Sequence, residues 1–375
     1  MASMSHYSIE DPALETLLLP LVQGRLAWPA GGALFLRARD GWPLRQQPLP
    51  GLVCEQSFKP DAEALLRSGF TVHQPGASPA AIHPLVMVLP PRQRDEARAL
   101  LARAVALTAP GGRVLACATN NEGARSVEAD LADLAGPIET LLKNKCRAFW
   151  TAPLQGARDP ELARQWQELD RTRPIGDGRF VSRPGVFAWD RIDAASSLLA
   201  RHLPANLAGR AADLGAGFGY LSVELLSRCV GIRTLDLYEA EGRALDLARQ
   251  NLANFEARVE LGYHWHDVTA GLPHRYDVIV TNPPFHTGTR ADRPDIGKRF
   301  ITIAAQALNP GGRLWLVANR HLPYEAVLDQ GFGQVRTVAQ EHGFKIVEAS
   351  KTTAKATTIA GRPRGAGAAA ARDER

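Results

Sequence analysis

Short apolar runs of strand length alternate with stretches of helical periodicity through most of this chain. Tyr276-Asp-Val-Ile-Val-Thr281 reads as a buried strand and runs directly into Asn282-Pro283-Pro284-Phe285. Upstream, a helical run from Ile192 to Leu203 precedes the short apolar segment Arg210 to Leu214. That segment enters a turn holding Gly215, Gly217 and Gly219 and continues as a helical pattern to Leu226. Ile232 to Tyr238 is a further apolar run, ending at Glu239, and Asp267 follows another. This alternation predicts an α/β fold in which parallel strands are flanked by helices and ligands sit at the carboxyl ends of the strands. Gly215, Glu239, Asp267 and Asn282 all fall at such ends.

The same pattern occurs twice. Leu85-Val-Met-Val-Leu-Pro-Pro91 aligns with Val278-Ile-Val-Thr-Asn-Pro-Pro284, and Ala109-Pro-Gly-Gly-Arg-Val-Leu115 with Asn309-Pro-Gly-Gly-Arg-Leu-Trp315. The offset is 193 positions for the first pair and 200 for the second, so the second copy carries seven more residues, in the loop beginning at Phe285. Two tandem Rossmann-like domains are therefore expected, a degenerate copy over residues 1–165 and a complete one over 166–350. The boundary lies near a polar helix, Ala163 to Arg173, that is followed by Pro174, Gly176 and Gly178. In the first copy Leu89 replaces the Asn, Arg92 replaces the Phe, and Leu34 to Asp40 holds no glycine-rich turn. That copy is expected to lack the ligand site and to hold substrate or support folding.

Composition changes this picture in three places. The net charge is +5, but six basic and two acidic residues after Ser350 account for +4 of it, so the body is near neutral. Affinity for nucleic acid must then come from a local patch or from the tail 351–375, which is rich in Ala, Gly, Thr and Arg and reads as disordered. No apolar stretch reaches the length of a membrane span, and Leu17 to Val22 is too short and too acidic in its approach for a signal peptide. Cys54, Cys117, Cys146 and Cys229 are scattered without metal spacing, which fits reduced thiols in a cytoplasm. His264, His266 and Asp267 are a weak metal signature, and no metal is expected.

The chemistry follows from the strand ends. An exocyclic amine is a poor nucleophile because its lone pair is delocalised into the base. The oxygen of Asn282 and the carbonyl of Pro283 can each accept one of its N–H bonds, while the two prolines stiffen the loop. Phe285 can stack on an extruded base, an interaction worth roughly 1–3 kcal/mol. An Asn-Pro turn closing a buried strand is the plainer alternative. The glycines of the upstream turn are spaced G-x-G-x-G with Asp213 just before them, which departs from the G-x-G-x-x-G of dinucleotide sites. Glu239 stands where a carboxylate meets ribose hydroxyls, and Asp267 where one meets an adenine amino group.

Together these motifs resemble the class I S-adenosylmethionine-dependent methyltransferases that act on amino groups. Among them the chain is most similar to the ribosomal RNA small subunit methyltransferase C family. The likeness rests on Val186-Phe187 with Asp193 and Leu198-Leu199, on Asp-Leu-Gly-Ala-Gly-Phe-Gly at 213 to 219, and on Asn-Pro-Pro-Phe-His at 282 to 286. Val317-Ala-Asn-Arg-His-Leu-Pro-Tyr324 and Phe344-Lys345 extend it. It departs at Ala216, where Cys is common, and at Glu239, where Asp is common. The resemblance implies methyl transfer from S-adenosylmethionine to the 2-amino group of a guanine in small-subunit ribosomal RNA. Asn282, Pro283 and Phe285 would be catalytic, and Asp213, Gly215, Gly217, Gly219, Glu239 and Asp267 would bind the donor. Pro284, His286 and Phe187 are candidate substrate contacts, as are Lys143, Lys145 and Arg147, which cluster near Phe149 and Trp150. Large-subunit guanine methylation and adenine-N6 methylation remain open alternatives, since the same motif holds either amine. One chain already carries two domains, so a monomer is expected.

Overall fold

The computed structural model describes residues 11–75, 81–284 and 294–352. Phe285, His286 and the tail from residue 353 lie outside the described residues.

Two seven-stranded sheets organise the chain. The first comprises β1 (Ala33–Leu36), β2 (Leu52–Glu55), β3 (Thr71–His73), β4 (His83–Val88), β5 (Thr108–Thr119), β6 (Ile138–Lys143) and β7 (Cys146–Thr151). A two-stranded link follows, β8 (Arg173–Ile175) with β9 (Phe180–Ser182). The second sheet comprises β10 (Ala208–Leu214), β11 (Gly231–Glu239), β12 (Glu260–Trp265), β13 (Tyr276–Thr281), β14 (Leu308–Asn319), β15 (Gln334–Glu341) and β16 (Phe344–Ser350).

Their strand orders, β3-β2-β1-β4-β5-β7-β6 and β12-β11-β10-β13-β14-β16-β15, are the same arrangement repeated. In each, five parallel strands are closed by an antiparallel hairpin. The two Pro-Gly-Gly strands, β5 and β14, share one sequence of buried and exposed positions over twelve residues. The duplication legible in the sequence is thus a duplication of topology.

Central strands are apolar on both faces because helices cover both faces. In β13 every residue except Asp277 is buried. Val278 and Val280 join a core with Leu225 and Ala248, whereas Ile279 joins Ile301 and Ala304 on the opposite side. Among the described residues, no helix is long and apolar enough to cross a membrane.

The copies meet where the loops after β2 and β11 run antiparallel. Phe58 bridges Glu241, Lys59 donates its backbone N–H to Ala240 O (2.8 Å), and Gly242 donates to Ser57 O (2.9 Å). Leu36 and Leu214 lie opposite Glu55 and Tyr238, so Phe58 and Glu241 hold equivalent places in the two copies. The contact is therefore isologous, like that of a two-fold dimer within one chain. Trp265 seals it, donating its indole N–H to Ser57 O (2.8 Å), with Lys59 Nζ 4.5 Å from its ring centroid.

Candidate active site

β10 has β11 on one side and β13 on the other, so the chain leaves it in both directions and the carboxyl ends of β10 and β13 form the switch point of the sheet. Leu214 and Thr281 are register partners, and the Thr281 hydroxyl donates to Leu214 O at 2.7 Å. The residues that follow them, Gly215 and Asn282, are thereby held side by side.

The glycine turn is built for a ligand. Gly215, Gly217 and Gly219 have φ of 74°, 55° and 89°, a region disfavoured for other residues. A Cβ on Gly219 would lie 2.6 Å from Leu252 Cδ1, so its absence lets helix Gly242–Leu252 pack against the turn. A Cβ on Gly217 would meet nothing within 4 Å, so the turn presents bare backbone to open space.

Glu239, at the end of β11, faces this turn. Its carboxylate accepts the N–H of Gly217 (2.7 Å) and of Glu241 (2.8 Å). Burial pushes its pKa up, and those N–H groups oppose the rise. Asp267 follows β12, with Oδ1 held by the N–H and hydroxyl of Thr269 at 2.8 and 2.7 Å.

Asp213, expected to contact the donor, lies beneath the glycine turn. Its side chain is wholly buried beneath the turn, where Oδ2 accepts the Ser222 hydroxyl at 2.8 Å and Oδ1 is buried without a partner among the described residues. Burial lifts its carboxyl to about 7, with the nearby charge of Glu239 adding to the effect. It braces the turn against the next helix.

Asn282 has a defined orientation. Its Nδ2 donates to Asp193 Oδ2 (3.0 Å) and to Ser196 Oγ (2.9 Å). A carboxylate only accepts, so the amide nitrogen must face Asp193 and the carbonyl must face away. That oxygen, Oδ1, is buried and has no hydrogen-bond partner among the described residues. Asp193 is fixed in turn as the N-cap of helix Ala194–His202, accepting the Ser196 N–H at 2.8 Å. Pro283 is buried and Pro284 is exposed. Ser196 was not singled out from the sequence, because Asp-x-x-Ser at a helix start signals a cap and nothing more.

The remaining candidates divide. Phe187 is 63% exposed and so forms no part of the core. Lys143 and Lys145 are exposed on the β6–β7 turn, beside Arg125 and Leu142. The aromatic half of that cluster is corrected: Phe149 and Trp150 are fully buried, because β7 packs both faces inward. Arg147 is tied to Glu128 at 2.5 Å. The arginines of helix Arg94–Ala106 are likewise ion-paired. Arg94 and Arg98 pair with Asp130, and Arg103 grips Glu55 through both nitrogens. His264 bonds Asp236 and His266 bonds Gly271 O. Among the described residues no group of His, Cys, Asp and Glu is arranged for a metal.

In the first copy the equivalent positions carry other side chains, which line a cavity of about 280 Å³ with Ser57, Glu96 and Arg243. Arg37 follows β1 as Gly215 follows β10, carries a φ of 52°, and donates its guanidinium to Leu89 O at 3.2 Å. Gln56 stands at the place of Glu239, its Oε1 accepting the Phe58 N–H and its Nε2 bonding Ala38 O.

The fold and this site define a methyltransferase of the class I type. The family model for the methyltransferase small domain matches residues 177–348. The curated ribosomal RNA small subunit methyltransferase C of Erwinia tasmaniensis is 31% identical over 264 residues, 70% of this chain and 75% of that protein. Its counterpart from Citrobacter koseri is 32% identical over 258 residues, 68% and 72% of the two chains. The chain belongs to the ribosomal RNA small subunit methyltransferase C family. A solved structure of the T. thermophilus 16S rRNA N2 methyltransferase, in complex with AdoMet and guanosine, superposes with a TM-score of 0.76. It is 25% identical, covering 92% of this chain and 93% of that one.

Proposed function

We propose that this protein methylates the exocyclic 2-amino group of a guanine in small-subunit ribosomal RNA, with S-adenosylmethionine as donor. One observation carries the reading. Asn282 presents a buried acceptor oxygen with no partner among the described residues, beside a glycine turn with open space before it. Leaving such an atom unpaired costs about 1–3 kcal/mol, a cost an incoming N–H removes.

Bound S-adenosylmethionine supplies a methyl group made electrophilic by its sulfonium. Glu239 accepts hydrogen bonds from the ribose hydroxyls, and Asp267 offers its other oxygen to the adenine amino group. Bare backbone at Gly217 admits the remainder of the donor. Asn282 Oδ1 and the Pro283 carbonyl each take one N–H of the guanine amine, turning its lone pair toward the methyl. Positioning of this kind is the main source of rate. The proton leaves after the N–C bond forms, since only then is the nitrogen acidic, and no side chain need act as a base beforehand. Phe285 stacks on the base, with Pro284, His286 and Phe187 bordering it, and Lys143 and Lys145 contact phosphate. Residues 1–165 hold no donor, because Arg37 and Gln56 stand where the second copy has Gly215 and Glu239, while 166–350 catalyse. The enzyme works as a cytoplasmic monomer.

The test supplies labelled donor with small-subunit particles, large-subunit particles and their naked RNAs, followed by nucleoside analysis. N2-methylguanosine confined to small-subunit material is expected. The same product in large-subunit RNA, or N6-methyladenosine, would overturn the substrate assignment.

A further inference from the structure

Glu96 belongs to the first copy, yet its carboxylate is buried against the second. It sits in the first turn of helix Arg94–Ala106, its own N–H capped by Gln93 Oε1 (2.5 Å), and is 6% exposed. Two segments of the second copy receive it. On one side Arg243 Nη1 donates to Glu96 Oε1 at 2.7 Å. Arg243 also grips Glu241 through Nε (2.9 Å) and Nη2 (3.2 Å), and the Glu241 N–H donates to Glu239 Oε1. On the other side lies Gly185, with φ of 87°, where a Cβ would collide with the Glu96 carboxylate. Gly185 opens the stretch that leads through Val186 and Phe187 to Asp193, which holds Asn282.

Glu96 thus stands between the two halves of the site. One branch ends at the carboxylate assigned to the donor ribose, the other at the amide assigned to the guanine amine. We infer that Glu96 is a positioning residue for methyl transfer, contributed by the degenerate copy to the active one. The inference rests on the function proposed above. A buried, paired carboxylate suits that role because its two neighbours are closely packed, so displacing it shifts both segments together. Arg243 keeps Glu241 when Glu96 is removed, so the expected consequence is a loosened donor loop and not a collapsed one.

The test titrates full-length protein with S-adenosylmethionine by calorimetry and measures transfer to small-subunit particles at saturating donor. Glu96→Gln is expected to bind donor about tenfold more weakly than wild type, with a further loss of rate at saturation. Arg98→Gln serves as a matched control, since it breaks a different buried pair of the same helix, with Asp130. It is expected to lower Tm and leave donor affinity within about twofold of wild type. Should Glu96→Gln fail to fold, Glu96→Asp keeps the charge and withdraws it by one methylene. A smaller weakening in the same direction is expected of it. Donor affinity unchanged in the Glu96 variants, or lowered equally by Arg98→Gln, would overturn the inference while leaving the proposed function standing. Failure of wild type to bind donor at all would instead remove the proposed function, and this inference with it.

Discussion

Asp193 and Asn282, 89 residues apart in sequence, are joined by a 3.0 Å hydrogen bond from the amide nitrogen to the carboxylate. The bond decides which end of Asn282 meets the substrate. Asp193→Ala removes the acceptor that orients the amide and leaves only Ser196, whose hydroxyl can either donate or accept. Both amide orientations then become accessible, and one of them aims a donor at the guanine amine. Transfer rate is expected to fall roughly ten- to a hundredfold, with donor affinity within a few fold of wild type. Asn282→Ala should abolish transfer under the same conditions. Equal rates for wild type and Asp193→Ala would mean that the orphan oxygen is not the acceptor that matters.

The Asp213 carboxyl, raised by burial to about 7, makes stability depend on pH in a defined direction. An unfolded Asp titrates near 4, so between roughly pH 4 and 7 the folded state keeps a proton that the unfolded state releases. This group therefore costs nothing below that window, costs progressively more as pH rises through it, and levels off above. Asp213→Asn keeps a partner for Ser222 and removes the charge. Its melting temperature should exceed that of wild type by several degrees at about pH 8, on the order of a few kcal/mol, and the gap should shrink toward roughly pH 4. Donor affinity should change little, since the side chain braces the turn from below. A large loss of donor affinity would restore Asp213 as a direct contact.

One donor per chain is the expected stoichiometry. Arg37 and Gln56 occupy in the first copy the places of Gly215 and Glu239 in the second. Glu239→Ala should weaken S-adenosylmethionine binding roughly ten- to a hundredfold, the worth of hydrogen bonds to a charged acceptor. Gln56→Ala should leave both affinity and stoichiometry unchanged. Calorimetry of the three proteins distinguishes these outcomes, and a stoichiometry of two would show that the first copy also binds donor.

Much of this site was legible because strand ends are legible. The apolar run Tyr276 to Thr281 is β13 itself, and Gly215, Glu239, Asp267 and Asn282 stand at the carboxyl edge, as alternation of strands and helices requires. What was hidden depends on side-chain direction and on distant partners. Spacing placed Asp213 beside the turn but did not reveal that its carboxylate points down toward Ser222. Phe149 and Trp150 sit near lysines in sequence, yet β7 is buried on both faces, so neither ring meets solvent. The bond from the Arg37 guanidinium to Leu89 O was similarly unreadable, because nothing local shows where a long side chain will turn.

The β6–β7 turn offers a last prediction. Lys143 and Lys145 are exposed there, while the equivalent turn of the second copy places Glu341 and Gly343 at the same positions of the hairpin. Arg125 likewise stands where the second copy has Glu325, each lying six residues past the end of its long strand, so the first copy has exchanged acidic for basic groups along one edge. Such an exchange suits phosphate and does nothing for the core. Lys143→Ala with Lys145→Ala is expected to raise KM for ribosomal RNA and to lower the slope of log affinity against log salt by about one for each phosphate partner removed. The donor affinity and Tm should stay within error of wild type. Arg147→Ala should behave oppositely, lowering Tm because Glu128 loses its ion-pair partner and keeps only the Thr140 hydroxyl, with little effect on the salt slope. An unchanged slope in the double lysine variant would place the RNA on another face of the molecule.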